Sequence, residues 1–207
     1  YSALDSQNFT TATDSHNTAV GHLAGLLVST GTENTLIGSE AGDALTTGDR
    51  NVAIGYLALS SDDVGQRNVA IGRSSLQNQN FATATQVYNT AVGYNSGASV
   101  TTSLKNTLIG GLAGDGITSG DGLNVAIGYN ALSAGSNNTQ ENVAIGVDSL
   151  KTEDGHGRNT AVGYQTLQTL NAGALAYNTA LGWQAGAAVT TGIENTLMGA
   201  SAGDALT

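Results

Sequence analysis

Apolar residues recur along this chain in short groups of three, each preceded by asparagine and closed by glycine. The group has the form Asn-[Thr/Val]-[Ala/Leu]-[Val/Ile/Leu/Met]-Gly, and its asparagine is counted below as position 1. It occurs eleven times, starting at Asn17, Asn34, Asn51, Asn68, Asn89, Asn106, Asn124, Asn142, Asn159, Asn178 and Asn195. The spacing varies only from 17 to 21 residues, which indicates a structural repeat.

The period and the pattern together predict a parallel β-solenoid with one coil per repeat. A repeat of about 17 residues is too short for a helix pair or a propeller blade. β-Branched residues at positions 2 and 4, followed by glycine, are typical of a short strand, and frequent glycine disfavours a helix. The expected fold class is all-β, a stack of coils that spans roughly 50 Å at ~4.8 Å per rung.

A repeat of four coils lies above the single coil. The motifs run NTAVG, NTLIG, NVAIG, NVAIG from Asn17 and restart in the same order 72 residues later, at Asn89. Residues 1–207 are therefore interpreted as one repeat array. Natural solenoids end in atypical capping repeats and no such repeat is visible here, so we expect the array to be a fragment of a longer chain.

Both faces of each predicted strand are apolar. Position 3 carries Ala19, Leu36, Ala53, Ala70, Ala91, Leu108, Ala126, Ala144, Ala161, Ala180 and Leu197. Position 4 carries Val20, Ile37, Ile54, Ile71, Val92, Ile109, Ile127, Ile145, Val162, Leu181 and Met198. Strands buried on both faces have such continuous apolar runs. Because a slim solenoid has one interior, we expect a second copy of the chain to cover the other face.

The eleven motif asparagines form a predicted structural ladder. Identical amides one rung apart can hydrogen-bond along the axis, and asparagine tolerates turn geometry. The motif glycine allows a bend or a close backbone approach. These residues therefore indicate a scaffold rather than a ligand site.

The coils are of two kinds. The first kind has Gly at position 9 and an apolar residue at position 12, namely Val28, Leu45, Val100, Ile117, Val189 and Leu206. The second kind has Leu at position 9, namely Leu59, Leu76, Leu132, Leu150 and Leu167, followed by variable polar sequence. We expect a second short strand in the first kind and an outward surface loop in the second.

Composition and charge narrow the function. The chain has 29 Gly, no Pro and no Cys, and its 40% hydrophobic content is too high for a disordered linker. A net charge of −10 with six basic residues argues against a nucleic-acid partner. No apolar run is long enough to insert into a membrane. Without cysteine there are no disulfides and no thiolate metal sites.

Few residues offer catalytic or metal chemistry. The three histidines, His16, His22 and His156, belong to different coils, and neither Asp14-Ser15-His16 nor Glu153-Asp154-Gly155-His156 is repeated. We therefore expect no enzyme activity and no cofactor. The repeated segments AGDALTTGD and AGDGITSGD give weak calcium candidates, since calcium prefers oxygen ligands, although solvated turn aspartates are the simpler interpretation. These candidates are Asp43, Asp49, Asp115 and Asp121.

Two further columns flank each predicted strand. The residue before each Asn, here called the entry column, is His16, Glu33, Arg50, Arg67, Tyr88, Lys105, Leu123, Glu141, Arg158, Tyr177 and Glu194. Stacking in this column predicts ion pairs of Glu33 with Arg50 and of Glu141 with Arg158. Aromatic residues just past the Gly are either a sugar-binding stripe or simple packing. They are Tyr56, Tyr94, Tyr129, Tyr164 and Trp183.

The motif NVAIG, with a small residue three positions after its Gly, resembles the head repeats of YadA-like trimeric autotransporter adhesins and similar repeats of phage tail fibres. The resemblance implies a left-handed parallel β-roll, with three rolls packed around a common axis. The chain departs from the family pattern in two respects. Asn stands where the family usually has Ser before Val-Ala-Ile-Gly, and the coils are a few residues longer.

The expected function is a structural or adhesive segment of an extracellular fibre, on a bacterial cell surface or a virion. The expected partners are further copies of the chain, in a parallel trimer, and a host-surface glycan or protein. An ice-binding or other single-chain binding solenoid is the alternative, suggested by Thr18, Thr35, Thr90 and Thr107 at position 2. That column changes to Val at Val52, Val69, Val125 and Val143, and we expect it to be at least partly buried.

Overall fold

Each of the eleven motifs forms a three-residue strand at its positions 2 to 4. The computed structural model describes residues 1–206. The strands of the main sheet are β1 Thr18–Val20, β2 Thr35–Ile37, β3 Val52–Ile54, β5 Val69–Ile71, β7 Thr90–Val92, β8 Thr107–Ile109, β9 Val125–Ile127, β10 Val143–Ile145, β11 Thr160–Val162, β12 Thr179–Leu181 and β13 Thr196–Met198. The coils that begin with them are numbered rung 1 to rung 11, from Asn17 to Asn195.

All neighbouring strands of this sheet are parallel and follow one another in chain order. The register aligns equal motif positions, so that Ala19 lies beside Leu36 and Val20 beside Ile37. Each motif position therefore forms a column along the axis. This confirms the all-β parallel solenoid of about eleven coils, and residues 1–206 contain no helix. No helix long and apolar enough to span a membrane occurs in this range.

The core is filled by two interchangeable arrangements of side chains. In coils with Leu at position 9, that leucine is fully buried. In coils with Gly at position 9, the apolar residue at position 12 is fully buried in rungs 1 to 10, and only Leu206 in rung 11 is exposed. The glycines make room for a large residue at position 3. A Cβ at Gly97 or Gly114 would lie 2.7 Å from a methyl carbon of Leu108. Protein interiors are close-packed, so Leu at position 3 requires Gly at position 9 in its own coil and in the preceding one.

Tight backbone turns bound each strand. The motif glycine has a positive φ, and a Cβ at Gly38 (φ 136°) would lie 2.5 Å from the carbonyl oxygen of Gly55. Left-handed backbone recurs at further positions of the coil, among them position 7 and the entry column but not the motif asparagine: Glu33 has φ 59° and Arg50 has φ 57°. This conformation is uncommon for non-glycine residues. At eight entry residues the backbone N–H donates to a carbonyl of the preceding coil, as from Glu33 to the Ser15 carbonyl at 2.7 Å.

The prediction of a second strand in the first kind of coil is wrong. The two additional strands, β4 Gly65–Gln66 and β6 Thr85–Gln86, pair in parallel and belong to rungs 3 and 4, which are of the second kind. In the first kind the chain bends instead of forming a ladder. The carbonyl of Thr46 accepts hydrogen bonds from three successive N–H groups, those of residues 29, 30 and 31, and a ladder would use one carbonyl for each.

Candidate interaction surfaces

The outer face of the sheet is the largest regular surface of the molecule. Positions 2 and 4 point away from the coil, and position 3 points inside. Ile109 is 38% exposed, for example, while its neighbour Leu108 is completely buried. Exposure is greater at the ends of the stack, reaching 59% at Val20 and 72% at Met198. The position-4 residues thus form an unbroken apolar column over all eleven rungs.

The position-2 column runs beside the apolar column on the same face. Thr18, Thr160, Thr179 and Thr196 are exposed, and the remaining members are half-buried. The valines among these half-buried members are Val52, Val69, Val125 and Val143. Stacked neighbours one rung above and below provide this partial cover. In a single chain the whole outer face therefore contacts solvent.

The motif asparagines form a hydrogen-bonded ladder inside the coil. At each of the ten steps the backbone N–H of one asparagine donates to the side-chain oxygen of the preceding one, over 2.9–3.3 Å. At five steps the side-chain amide donates to that same oxygen. From rung 2 to rung 10 these asparagines are fully or almost fully buried. Satisfied buried amides of this kind fix the register of the stack.

Seven of the eleven asparagines also close their own coil through the side-chain amide. The side-chain amide of Asn34 donates to the carbonyl of Gly48 at 2.9 Å, and that of Asn51 to Gly65 at 2.9 Å. The accepting residue lies fourteen positions further along the chain. One side chain therefore ties the start of a coil to its end and to the next coil. This explains why asparagine occupies position 1 in every repeat.

The entry column forms a ladder of charged and aromatic side chains on the surface. Arg50 pairs with Glu33 at 3.0 Å, and Arg158 pairs with Glu141 at 2.6 Å. Arg158 also lies over the ring of Tyr177, 5.5 Å from its centroid. These contacts connect neighbouring rungs and order the long side chains along the solenoid axis.

The residues just past the motif glycine form a second exposed ladder, here called the exit column. It consists of His22, Ser39, Tyr56, Arg73, Tyr94, Gly111, Tyr129, Val147, Tyr164, Trp183 and Ala200. Arg73 lies between Tyr56 and Tyr94, 5.6 Å from each ring centroid. Tyr164 and Trp183 stack at 6.4 Å with almost parallel planes. The aromatic residues predicted from the sequence therefore form part of one continuous column.

The histidines and the calcium candidates are scattered. His16 and His22 are exposed, and His22 stacks on Tyr1 at 6.4 Å. Asp49 pairs with Arg50 at 3.2 Å and Asp121 is exposed. The remaining two candidates, Asp43 and Asp115, are half-buried, and burial raises the pKa of both carboxyl groups. Across residues 1–206, no group of three or more His, Asp or Glu side chains is placed to hold a metal ion.

Buried polar side chains occupy position 12 in two groups of second-kind coils, and neither group was predicted from the sequence. In the first, Gln79 donates to Asp62 at 2.6 Å and accepts from Asn89 at 2.8 Å, all three being fully buried. In the second, Glu153 is fully buried and neither of its oxygens makes a hydrogen bond of good geometry. The signal was present, because position 12 is apolar in every first-kind coil and these residues break that column.

No pocket is present in the part of the chain that the structure describes. Comparison of the chain with protein-family models, with curated proteins and with solved structures finds no match.

Proposed function

We propose that the chain is a structural or adhesive segment of an extracellular fibre, in which three parallel, left-handed rolls pack around one axis. The fibre belongs to a phage tail or to a bacterial cell surface. The supporting observation is the outer face, where position 4 is apolar in all eleven rungs and its side chains are exposed or half-buried in a single chain. The resemblance of NVAIG to trimeric autotransporter head repeats supplies the number three and the handedness.

The size of the outer face supports association. A strip of eleven rungs is roughly 50 Å long and three residues, or about 10 Å, wide, which gives on the order of 500 Å². Exposed apolar patches of that size on soluble proteins usually mark interaction sites. Burying it contributes at most about 10 kcal/mol per copy, at about 25 cal/mol per Å² of apolar surface, because seven of the eleven position-2 residues are threonine. A cyclic arrangement buries the same strip of every copy.

The regular stacking of the coils also suits a rigid structural segment of a fibre. The columns are continuous, the asparagine ladder connects every rung, and Glu33–Arg50 and similar pairs brace the surface. Such a stack transmits force along its axis and displays loops at regular height. We propose no catalytic step for it.

The test is the mass of the particle in solution. Sedimentation velocity should give three times the chain mass of 20.7 kDa. The double variant Ile54→Asp/Ile127→Asp should be monomeric with unchanged β circular dichroism, because both side chains point away from the core. Asn78→Asp, at an exposed residue away from the outer face, is the matched control and should remain trimeric.

A second candidate function, ice binding, has one observation in its favour: Thr160, Thr179 and Thr196 lie exposed on successive rungs. Four valines interrupt the same column elsewhere. A soluble monomer that shows thermal hysteresis, lost on Thr179→Ala, would replace the fibre proposal. A monomer without thermal hysteresis would contradict both the fibre proposal and the ice-binding alternative.

A further inference from the structure

The two surface ladders lie at opposite ends of every strand. The entry residue precedes position 1 and the exit residue is position 6, so about 20 Å of extended chain separates them within one rung. They cannot touch each other within one chain. Both ladders are held upright by contacts between rungs, as in Arg158 over Tyr177 and Tyr164 on Trp183. Each is therefore an ordered surface without a partner.

Symmetry determines which columns meet when copies assemble. In a cyclic ring whose axis is parallel to the solenoid axis, all copies sit at the same height, so equal rungs face each other. With the outer faces toward the axis, the strands run around the ring in one direction. The end of each strand then lies beside the start of the strand in the next copy. Exit residues of one copy face entry residues of its neighbour at the same rung.

We propose that the lateral seam between copies is formed by the exit column of one copy and the entry column of the next, matched rung by rung. The occupant of the aromatic column is thus a second copy of this chain. The inference rests on the proposed cyclic assembly and adds its interface and its register.

Rungs 3 and 9 carry cations opposite aromatic rings. At rung 3 Arg50 faces Tyr56 of the neighbouring copy, and at rung 9 Arg158 faces Tyr164. A guanidinium is attracted to the face of such a ring. All four side chains are exposed in the single chain, where Arg50 and Arg158 also pair with Glu33 and Glu141.

Rungs 5 and 10 carry aromatic residues on both sides. Tyr88 faces Tyr94, and Tyr177 faces Trp183. Each of the four is about half exposed in the single chain, which is high for such large apolar bodies. Aromatic pairs of this kind are favourable in stacked or edge-to-face contact, and Tyr and Trp are enriched at interfaces.

Glutamates of the entry column never face an aromatic ring. Their opposite residues are small or aliphatic: Glu33 faces Ser39, Glu141 faces Val147 and Glu194 faces Ala200. A carboxylate against the negative face of a ring would be unfavourable. The distribution of residue types along one column thus follows the other, as a matched seam requires.

One rung opposes the seam, because Arg67 faces Arg73 there. Both guanidinium groups already lie over rings of their own chain, Arg67 over Tyr88 at 5.4 Å and Arg73 over Tyr56 at 5.6 Å. Rung 4 therefore weakens an interface that the aromatic rungs above and below hold together.

The first test is site-specific cross-linking, for which the absence of native cysteine is an advantage. Tyr88→Cys/Tyr94→Cys should give covalent closed trimers with a short bismaleimide reagent. The offset pair Tyr88→Cys/Tyr129→Cys places the thiols two rungs, or about 10 Å, apart in height and should give little product. An oligomer without same-rung cross-links contradicts the seam alone, whereas a monomeric wild-type protein contradicts the proposed assembly as well.

The second test places a carboxylate opposite a ring. Leu123→Glu puts it opposite Tyr129, and should raise the dissociation constant of the assembly at least about tenfold. Native glutamates fill the same left-handed backbone position at three other rungs, so the single chain should tolerate the change. Lys105→Glu faces Gly111 and is the control, with a smaller expected effect despite its larger change in charge.

The proposed seam would be contradicted if the aromatic residues of the exit column bind a ligand in solution and do not contact a second copy of the chain. If the protein binds an immobilised neutral polysaccharide, and Tyr129→Ala abolishes this binding without changing the oligomeric mass, then the exit column is a glycan site and not a seam. Equal effects of Leu123→Glu and Lys105→Glu on assembly would also contradict the rung-by-rung match.

Discussion

Position 12 of the coil carries buried polar side chains in two regions, and the two regions differ in how those groups are satisfied. In rungs 3 and 4, Asp62 accepts from Gln79 and from the backbone N–H of Gly65, and Gln79 accepts in turn from Asn89. In rung 8, Glu153 stands alone, with Gly135 at the same position one rung earlier and Leu170 one rung later.

The pKa values follow this difference. Burial raises the pKa of Asp62, but the hydrogen bonds from Gln79 and Gly65 oppose the rise. Burial raises the pKa of Glu153 to about 7, with the backbone of His156 opposing the rise and the charge of Asp154 adding to it. A buried carboxylate without strong donors favours its neutral form. Equal burial at one position therefore leaves one carboxyl held by a network and the other poised to take up a proton.

The largest effect is expected from breaking the network of rungs 3 and 4. Gln79→Leu removes the donor to Asp62 and the acceptor of Asn89, and each buried group left short of a hydrogen-bond partner costs about 1–3 kcal/mol, with more for a charged group. Hydrogen exchange of the backbone amides in these rungs gives a local measurement, which suits an array that need not unfold in one step. The double variant Asp62→Leu/Gln79→Leu should recover most of the loss, since Leu45 fills the same position in rung 2.

At rung 8, in contrast, removal of the buried polar group is expected to increase stability. Glu153→Leu should stabilise the rungs around it by about 3 kcal/mol at most at pH 8, because a rise in pKa from 4.5 to about 7 corresponds to that free energy. Leucine already occupies this position in rung 9 as Leu170. Hydrogen exchange of rungs 7–9 measures the gain, with Glu153→Gln as the variant that removes the charge but keeps the shape. A loss of protection in both variants would show that Glu153 has a partner.

The sequence predicts the parts of the fold that every repeat specifies. The structure confirms the eleven parallel strands and their alignment in columns. This register is strongly specified, because a shift by one residue would move buried side chains such as Ala53 or Leu108 into solvent. The short strands β4 and β6 were not predicted, since they depend on how the 17-residue coil of rung 3 lies beside the 21-residue coil of rung 4. The bend that replaces a strand in the first kind depends on the shared Thr46 carbonyl, which sequence patterns do not encode.

The same distinction applies to the surface. Sequence columns predicted the pairs Glu33–Arg50 and Glu141–Arg158, and both form. The stacking of Arg73 between two tyrosines was not predicted, because the arginine interrupts the aromatic pattern of the exit column and its contacts depend on the side-chain conformation. The lone state of Glu153 depends on the space beside it, and no local pattern indicates whether a buried carboxylate finds a donor.

The pH dependence of the two regions provides a third, smaller prediction. Glu153 has a raised pKa in the folded chain, so its contribution favours folding below pH 4.5 and is lost as the pH rises through about 7. Protection of rungs 7–9 should therefore fall by about 2 kcal/mol between pH 5 and pH 7. In Glu153→Gln this fall should disappear. His156→Asn serves as the control for the neighbouring histidine and should keep it.

The smallest effect on stability is expected for a polar pair that joins neighbouring rungs at the solvent-exposed surface instead of in the core. Glu33 and Arg50 are joined at 3.0 Å, as Asp62 and Gln79 are at 2.6 Å, but both side chains of the first pair are exposed. Exposed ion pairs contribute about 0.2–1 kcal/mol, because water and salt screen the charges and both side chains lose freedom. A double-mutant cycle of Glu33→Gln and Arg50→Met, followed by hydrogen exchange in rungs 2 and 3, measures the coupling.

The cycle should be run in the Ile54→Asp/Ile127→Asp background, since assembly would bring Tyr56 of a neighbouring copy to Arg50. There the coupling should stay below about 1 kcal/mol and fall further in 1 M salt, where the screening length is about 3 Å. A coupling of 3 kcal/mol that resists salt would put the surface ladder on a par with the buried network. Burial would then not be what separates strong polar contacts from weak ones in this solenoid. A larger coupling in the wild-type background than in the monomeric one would indicate that Arg50 becomes desolvated on assembly, as the matched seam requires.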